Sequence, residues 1–148
     1  RVDAVCRCHP QFCRCGWGGC PAGDARGMAV KFLLDTNVVI YLLGGRLRHA
    51  LPQADFGVSV ITEIELLSWP ALSSDEERVM RGFLDEVDRY PLTDAIRDRT
   101  ISLRRQFRLK LPDALIAATA LEAGATLLTN DQQFHVVPAL SVQAVELT

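Results

Sequence analysis

Residues 31–43 read KFLLDTNVVIYLL, an apolar run broken by Asp35, Thr36 and Asn37 and then resumed. Asp and Asn are poor strand formers, and a carboxylate without partners is costly in a dry core, so the interruption has either a capping or a chemical reason. The run Val30 to Leu34 reads as a buried strand, and Val38 to Leu43 has a pattern compatible with a helix packed on it.

The same strand-turn-helix plan recurs downstream. In GVSVITEIELLSW (57–69), Gly57 to Ile61 is strand-like, Thr62 opens a helix through Leu67, and Pro70 ends it. Ser73 to Asp75 start a further helix in which Val79, Phe83, Leu84 and Val87 fall at helical spacing. Tyr90 to Leu92 reads as a short strand, followed by a helix capped by Thr93 with Ile96, Leu103 and Phe107 as its inner stripe. After Pro112, DALIAATALEAGA is an alanine-rich helix closed by Gly124, which suits a helix C-terminus. ATLLTND (125–131) is an apolar strand ending in Asp, and LSVQAVEL (140–147) reads as an edge strand. Strands alternating with helices predict an α/β fold: a single domain with a mainly parallel central sheet and helices on both faces.

Composition limits the rest. With 148 residues, 49% of them hydrophobic, the chain suffices for one sizeable core. Its longest apolar stretches, such as Val38 to Leu43, fall far short of the roughly 20 residues that span a bilayer, so a soluble protein with no membrane partner is expected. All five cysteines, Cys6, Cys8, Cys13, Cys15 and Cys20, lie in the first 20 residues, so whatever folds after Met28 needs no disulfide. Residues 1–27 are rich in Gly, Arg and Cys, lack apolar periodicity and begin at Arg1. They are expected to be a non-native or disordered leader, with residues 28–148 as the folded domain. A zinc site built from the CxC pairs and His9 is the sharper reading of that leader, but its spacing is not the CxxC of zinc modules. No apolar stretch of about 7–15 residues marks a signal peptide there. Without the leader's four Arg and two Asp, 12 basic and 16 acidic residues remain, a formal charge of −4. A nucleic-acid binder usually shows a basic excess, so contact with a polyanion has to be local.

In an open parallel sheet, ligands bind outside the carboxyl ends of the strands, where strand order reverses. Asp35 follows KFLL, Glu65 lies one turn past GVSVI, Asp131 follows ATLL, and Asp113 starts a helix that can aim at the same edge. Each residue also suits an ordinary structural role. Asp35 fits a helix cap, Thr62 and Glu65 form the TxxE of a capping box, Asp113 fits a helix N-terminus and Asp131 an Asx turn. Four together are harder to explain so. Like charges at about 4 Å and an effective dielectric near 20 cost roughly 4 kcal/mol per pair, so acids sharing a pocket take up protons or hold a divalent cation. Hard oxygen donors select Mg²⁺ or Mn²⁺.

LLDTNVVIYLL, SVITEIELL, LPDALIAATALEAGATLLTND and the following QQF resemble, in order, the motifs of PIN-domain ribonucleases, in particular the VapC toxins of type II toxin-antitoxin pairs. The resemblance runs from about Met28 to the C-terminus and leaves residues 1–27 without a counterpart. It implies a small α/β domain with an acidic pocket, a Mg²⁺- or Mn²⁺-dependent endoribonuclease, a cognate VapB-like antitoxin as partner, homodimerisation and a cytoplasmic location. By motif position Asp35, Glu65, Asp113 and Asp131 are the catalytic, metal-holding acids, with Asn37 and Thr129 flanking them. Asp35 and Asp113 are expected to hold the ion directly, and Glu65 and Asp131 directly or through water.

With a metal-activated water as attacking group, no protein nucleophile is required. Neither His49 nor His135 lies in a nucleophile motif, and both read as surface residues. Glu63 competes with Glu65, but two residues apart on a helix differ by about 200°, so only one faces a given pocket. The capping offset and the resemblance both select Glu65. Arg104 and Arg108 each lie within about 20° of Arg97 on one face of the helix after Thr93, a row that can contact phosphates or simply pair with Asp94 and Asp98. A haloacid-dehalogenase-type phosphatase is the rival enzyme class, but it needs a second Asp where Asn37 stands. The same motifs are also compatible with a PIN-fold module that binds RNA or protein without cutting, and with an RNA-processing nuclease outside a toxin-antitoxin pair.

Overall fold

The computed structural model describes residues 31–148. Both the leader reading of residues 1–27 and the zinc reading of its cysteines lie outside the described residues. The fold is built from five strands, β1 (Lys31–Leu34), β2 (Asp55–Ser59), β3 (Asp88–Tyr90), β4 (Thr126–Leu128) and β5 (Val142–Gln143). Five helices accompany them: α1 (Thr36–Leu43), α2 (Val60–Leu67), α3 (Ser74–Leu84), α4 (Asp94–Phe107) and α5 (Leu111–Ala123). The strands form one sheet in the order β3-β2-β1-β4-β5, with every neighbouring pair parallel.

β1 is central because its residues are apolar on both faces, as a strand covered on both sides requires. Successive side chains alternate. Phe32 and Leu34 pack with Val38, Val39 and Leu42 of α1, Leu66 of α2 and Phe83 and Leu84 of α3. Leu33 faces the other way, into a core with Ile96 and Leu103 of α4, the alanines of α5 and Phe134. Small residues on α5 let that helix lie close to the sheet. The α/β architecture expected from the alternation of strands and helices is the one observed.

Local signals set most helix ends. Ser73 caps α3 with a capping box to Glu76, the Thr93 hydroxyl accepts from the Ile96 amide at 3.2 Å, and α5 closes on Gly124 at φ 61°. Three boundaries and one stripe position differ from expectation; the edge strand read from LSVQAVEL is confined to Val142–Gln143. β2 stops at Ser59 and α2 starts at Val60, so Thr62 is a fully buried residue inside the helix and the TxxE capping box does not form. An apolar run does not itself distinguish strand from helix; the Ser59 hydroxyl, accepting from the Ile61 amide, sets the boundary. β3 lies two residues earlier than Tyr90 to Leu92, because its pairing with β2 places Asp88 opposite Gly57 and Tyr90 opposite Ser59. Val79, expected on the inner stripe of α3, is exposed, while Val87 is buried just past the helix end.

At Gly57, paired with Asp88 of β3, there is no room for a side chain. A Cβ there would stand 2.5 Å from Tyr90 Cε2 and 3.1 Å from the Asp88 carbonyl oxygen. Gly57→Val is therefore expected to lower stability by about 1–3 kcal/mol in urea unfolding, since overpacking forces ring and backbone to shift. Unchanged stability would show that the edge yields freely.

Candidate functional site

Strand order reverses between β1 and β4: the chain goes from β1 outward to β2 and β3, then returns to β4 on the opposite side. The carboxyl ends of these two strands are tied together by the Asp35 amide, which donates to the Leu128 carbonyl at 3.1 Å. A cleft of about 420 Å³ opens there, lined by Asp35, Asn37, Glu65, Trp69, Asp113 and Asp131 among others. The four acids singled out from the sequence, 96 positions apart at their extremes, thus border one cleft.

Asp35 is buried, and it does not cap α1 with its side chain. Its Oδ2 instead accepts from the Thr129 hydroxyl at 2.7 Å, and that hydroxyl oxygen accepts from the Asp131 amide at 3.0 Å. Thr129, at the end of β4, therefore couples the backbone of one acidic residue to the carboxylate of another. Burial pushes the Asp35 carboxyl above its ordinary range; the Thr129 hydrogen bond opposes this, and the charges of Asp113 and Asp131 add to the rise.

Glu65 lies within α2, one face of which looks into the cleft. Its Oε2 accepts from the Thr36 hydroxyl at 2.5 Å, linking α2 to the first residue of α1. Glu63 points elsewhere and pairs with Arg89 at 3.4 Å, as the 200° helical offset requires. Asp113 stands in the first turn of α5, where the helix dipole favours a negative charge. Partial burial nonetheless raises its pKa, with the Asp131 and Glu65 charges adding and Lys110 opposing. Asp131 also makes the Asx turn its sequence suggested, Oδ1 accepting from the Gln133 amide at 2.8 Å.

Of the flanking residues, Thr129 touches Asp35 directly and Asn37 lines the cleft. Thr36 and Trp69 were not selected by sequence reasoning. DTN directly after the first strand was the available signal for Thr36; nothing in the sequence alone set Trp69 apart from a core residue.

Of the two readings of the arginine row, pairing with Asp94 and Asp98 is the one seen at Arg97. Arg97 is held by Asp94 at 2.7 Å and Asp98 at 2.9 Å, Arg104 donates to the Leu109 carbonyl, and Arg108 has left the helix at φ 56° as the C-cap. Local ion pairs and the helix end divide what an unbroken α4 would align. His49 pairs with Glu146 at the surface and His135 is exposed, both outside the cleft.

Four carboxylates, two of them pushed toward the protonated form by burial and mutual repulsion, are a donor set that fits a hard divalent cation. Among the described residues, no group of three or more His, Cys, Asp or Glu side chains is arranged to hold such an ion by itself. The acids line the cleft rather than close a cage. No helix among the described residues is long and apolar enough to cross a membrane.

The sequence profile of the PIN domain matches residues 32–140. Ribonuclease VapC51 of Mycobacterium tuberculosis is 31% identical over 125 residues, covering 78% of this chain and 91% of that protein. A chain of a toxin-antitoxin complex from Klebsiella pneumoniae shares 32% identity and a TM-score of 0.63, over 73% of this chain and 93% of that one. A chain of VapBC2 from Rickettsia felis, bound to a promoter DNA fragment, has a TM-score of 0.67 at 20% identity over 79% of this chain and all of its own, a likeness of fold.

Proposed function

The chain belongs to the PIN-domain family, with the VapC toxins, and from that membership and its acidic cleft we propose a divalent-metal-dependent endoribonuclease acting as the toxin of a type II toxin-antitoxin pair. The observation that carries this reading is the meeting of Asp35, Glu65, Asp113 and Asp131, from four separate segments, around one cleft at the strand-order reversal. Its relatives support the assignment: one is named a ribonuclease and another is solved as a toxin-antitoxin complex. We assign the four acids as catalytic and as the residues that hold Mg²⁺ or Mn²⁺.

When bound, such a cation lowers the pKa of water and neutralises charge building up on the phosphate. The protein's own contribution is to hold the donors still. Thr129 orients the Asp35 carboxylate, Thr36 orients Glu65, and the Gln133 amide commits one oxygen of Asp131. An open arrangement suits Mg²⁺, which keeps several waters and takes one or two carboxylates plus substrate phosphate rather than a cage of protein ligands. The cognate antitoxin, a homodimer and a cytoplasmic location complete the proposal; the first is supported by the Klebsiella complex and the others by the family resemblance.

The test sets Glu65→Gln beside Glu63→Gln. With Mg²⁺, wild type and Glu63→Gln are expected to cut single-stranded RNA at equal rates, Glu65→Gln at least about 10²-fold more slowly, and EDTA to stop all three. RNA cut equally by the two variants would remove Glu65 from the site. RNA that survives wild type with Mn²⁺ would favour a module that binds without cutting.

A further inference from the structure

Trp69 is the most exposed of the large hydrophobic side chains among the described residues, 64% accessible, yet it lines the same cleft as the four acids. It belongs to neither hydrophobic core. Its backbone is nevertheless fixed, because it follows the C-cap of α2, precedes Pro70 and accepts a hydrogen bond from the Leu72 amide at 3.1 Å. A rigid helix end thus holds out an indole that does little for folding, on the wall of an anionic site.

The charged side chains lining the cleft are all carboxylates, whose charge a bound cation offsets, and Arg97 on α4 is already paired with Asp94 and Asp98. A contact that does not depend on charge therefore adds to affinity there. Stacking of an unpaired base on an aromatic face is such a contact, and it tolerates any sequence because every base has a π-face. We infer that Trp69 is the stacking platform for one unpaired nucleobase of the RNA strand whose phosphate reaches the four acids. The inference rests on the ribonuclease reading and adds to it a substrate requirement: the base must be splayed from its neighbours, so single strands and loops are bound and paired stems are not.

The test compares full-length Asp35→Asn, which leaves the strand uncut, with Asp35→Asn carrying Trp69→Ala or Trp69→Phe. Binding of a short fluorescently labelled single-stranded RNA is followed by anisotropy with Mg²⁺ present. Trp69→Ala is expected to weaken binding about tenfold and Trp69→Phe by no more than about threefold. The ratio should hold from low to moderate salt, because stacking releases no counterions. With Asp35 intact, Trp69→Ala should raise KM and leave kcat nearly unchanged. Being exposed, Trp69→Ala should melt with its parent, and Trp69→Phe provides the comparison if it does not. Equal RNA affinity with and without the indole overturns the inference even if antitoxin binding falls, since the surface would then serve a peptide. A loss seen only at low salt overturns it as well. If the wild-type chain neither binds nor cuts the strand, the ribonuclease reading fails and the inference with it; a wild type that cuts beside an unaffected Trp69→Ala sinks the inference alone.

Discussion

At pH 7 and without added metal, Asp35→Asn is expected to melt at a higher temperature than wild type and, with Mg²⁺, to lose nearly all cleavage. The two effects share one cause. Asp35 is 6% exposed, and burial raises its pKa in the folded chain above the unfolded value. A folded state that binds the proton more tightly is favoured at low pH, and that advantage is lost as pH rises through the folded pKa. At neutral pH the ionised carboxylate therefore costs stability. Asn occupies the same volume, still accepts the Thr129 hydroxyl and has no charge to desolvate. The difference in melting temperature should shrink as pH falls to about 4, the ordinary carboxylate range. Added Mg²⁺ should favour wild type, by about 2.7 kcal/mol at a concentration 100 times the dissociation constant, and the variant far less. Losing one acid that holds the ion forfeits several kcal/mol of charge stabilisation, about 10³-fold in rate. Calorimetry across pH with and without Mg²⁺, beside an RNA cleavage assay, checks both halves. A variant that cuts RNA as fast as wild type would end the assignment of Asp35.

Thr129→Val should be among the most damaging substitutions that leave every acid in place. Its hydroxyl is buried and serves two partners, donating to Asp35 and accepting from the Asp131 amide. Valine fills nearly the same space and satisfies neither. An orphaned buried carboxylate and amide together cost about 3 kcal/mol, which lowers the melting temperature by about 10 °C in a domain of this size. Cleavage should fall about 10- to 100-fold, as when a group that orients a metal ligand is lost, while Thr129→Ser, which keeps the hydroxyl, should retain most of both. The penalty should also shrink in an Asp35→Asn background, because the acceptor then orphaned is a neutral amide rather than a buried carboxylate. Additive losses in that double mutant would show that Thr129 acts on packing alone.

Most of the scaffold was legible because the signals were local. KFLL, GVSV and ATLL are short apolar runs, Ser73 and Thr93 cap their helices as caps do elsewhere, and Gly124 accepts a left-handed turn without strain. The β2–α2 boundary was misplaced because Val60 and Ile61 suit strand and helix alike, and Ser59 decides between them through one hydrogen bond. β3 was misplaced because its register is set by β2, a partner about thirty positions away. Of the two roles open to Arg97 in the sequence, the one seen is pairing with its helix neighbours Asp94 and Asp98, three positions before it and one after.

By itself the sequence determined the order of elements and the parallel sheet, and with the family's motifs it singled out four acids, because hydrophobic periodicity and motif spacing are properties of neighbours along the chain. Only the tertiary structure decided that Asp35 is buried and bonded to Thr129 instead of capping its helix, that Thr36 steadies Glu65, and that Trp69 stands exposed at the cleft. Those facts depend on which residues meet across the sheet and how much water reaches them. Neither distance nor desolvation is written in any one segment.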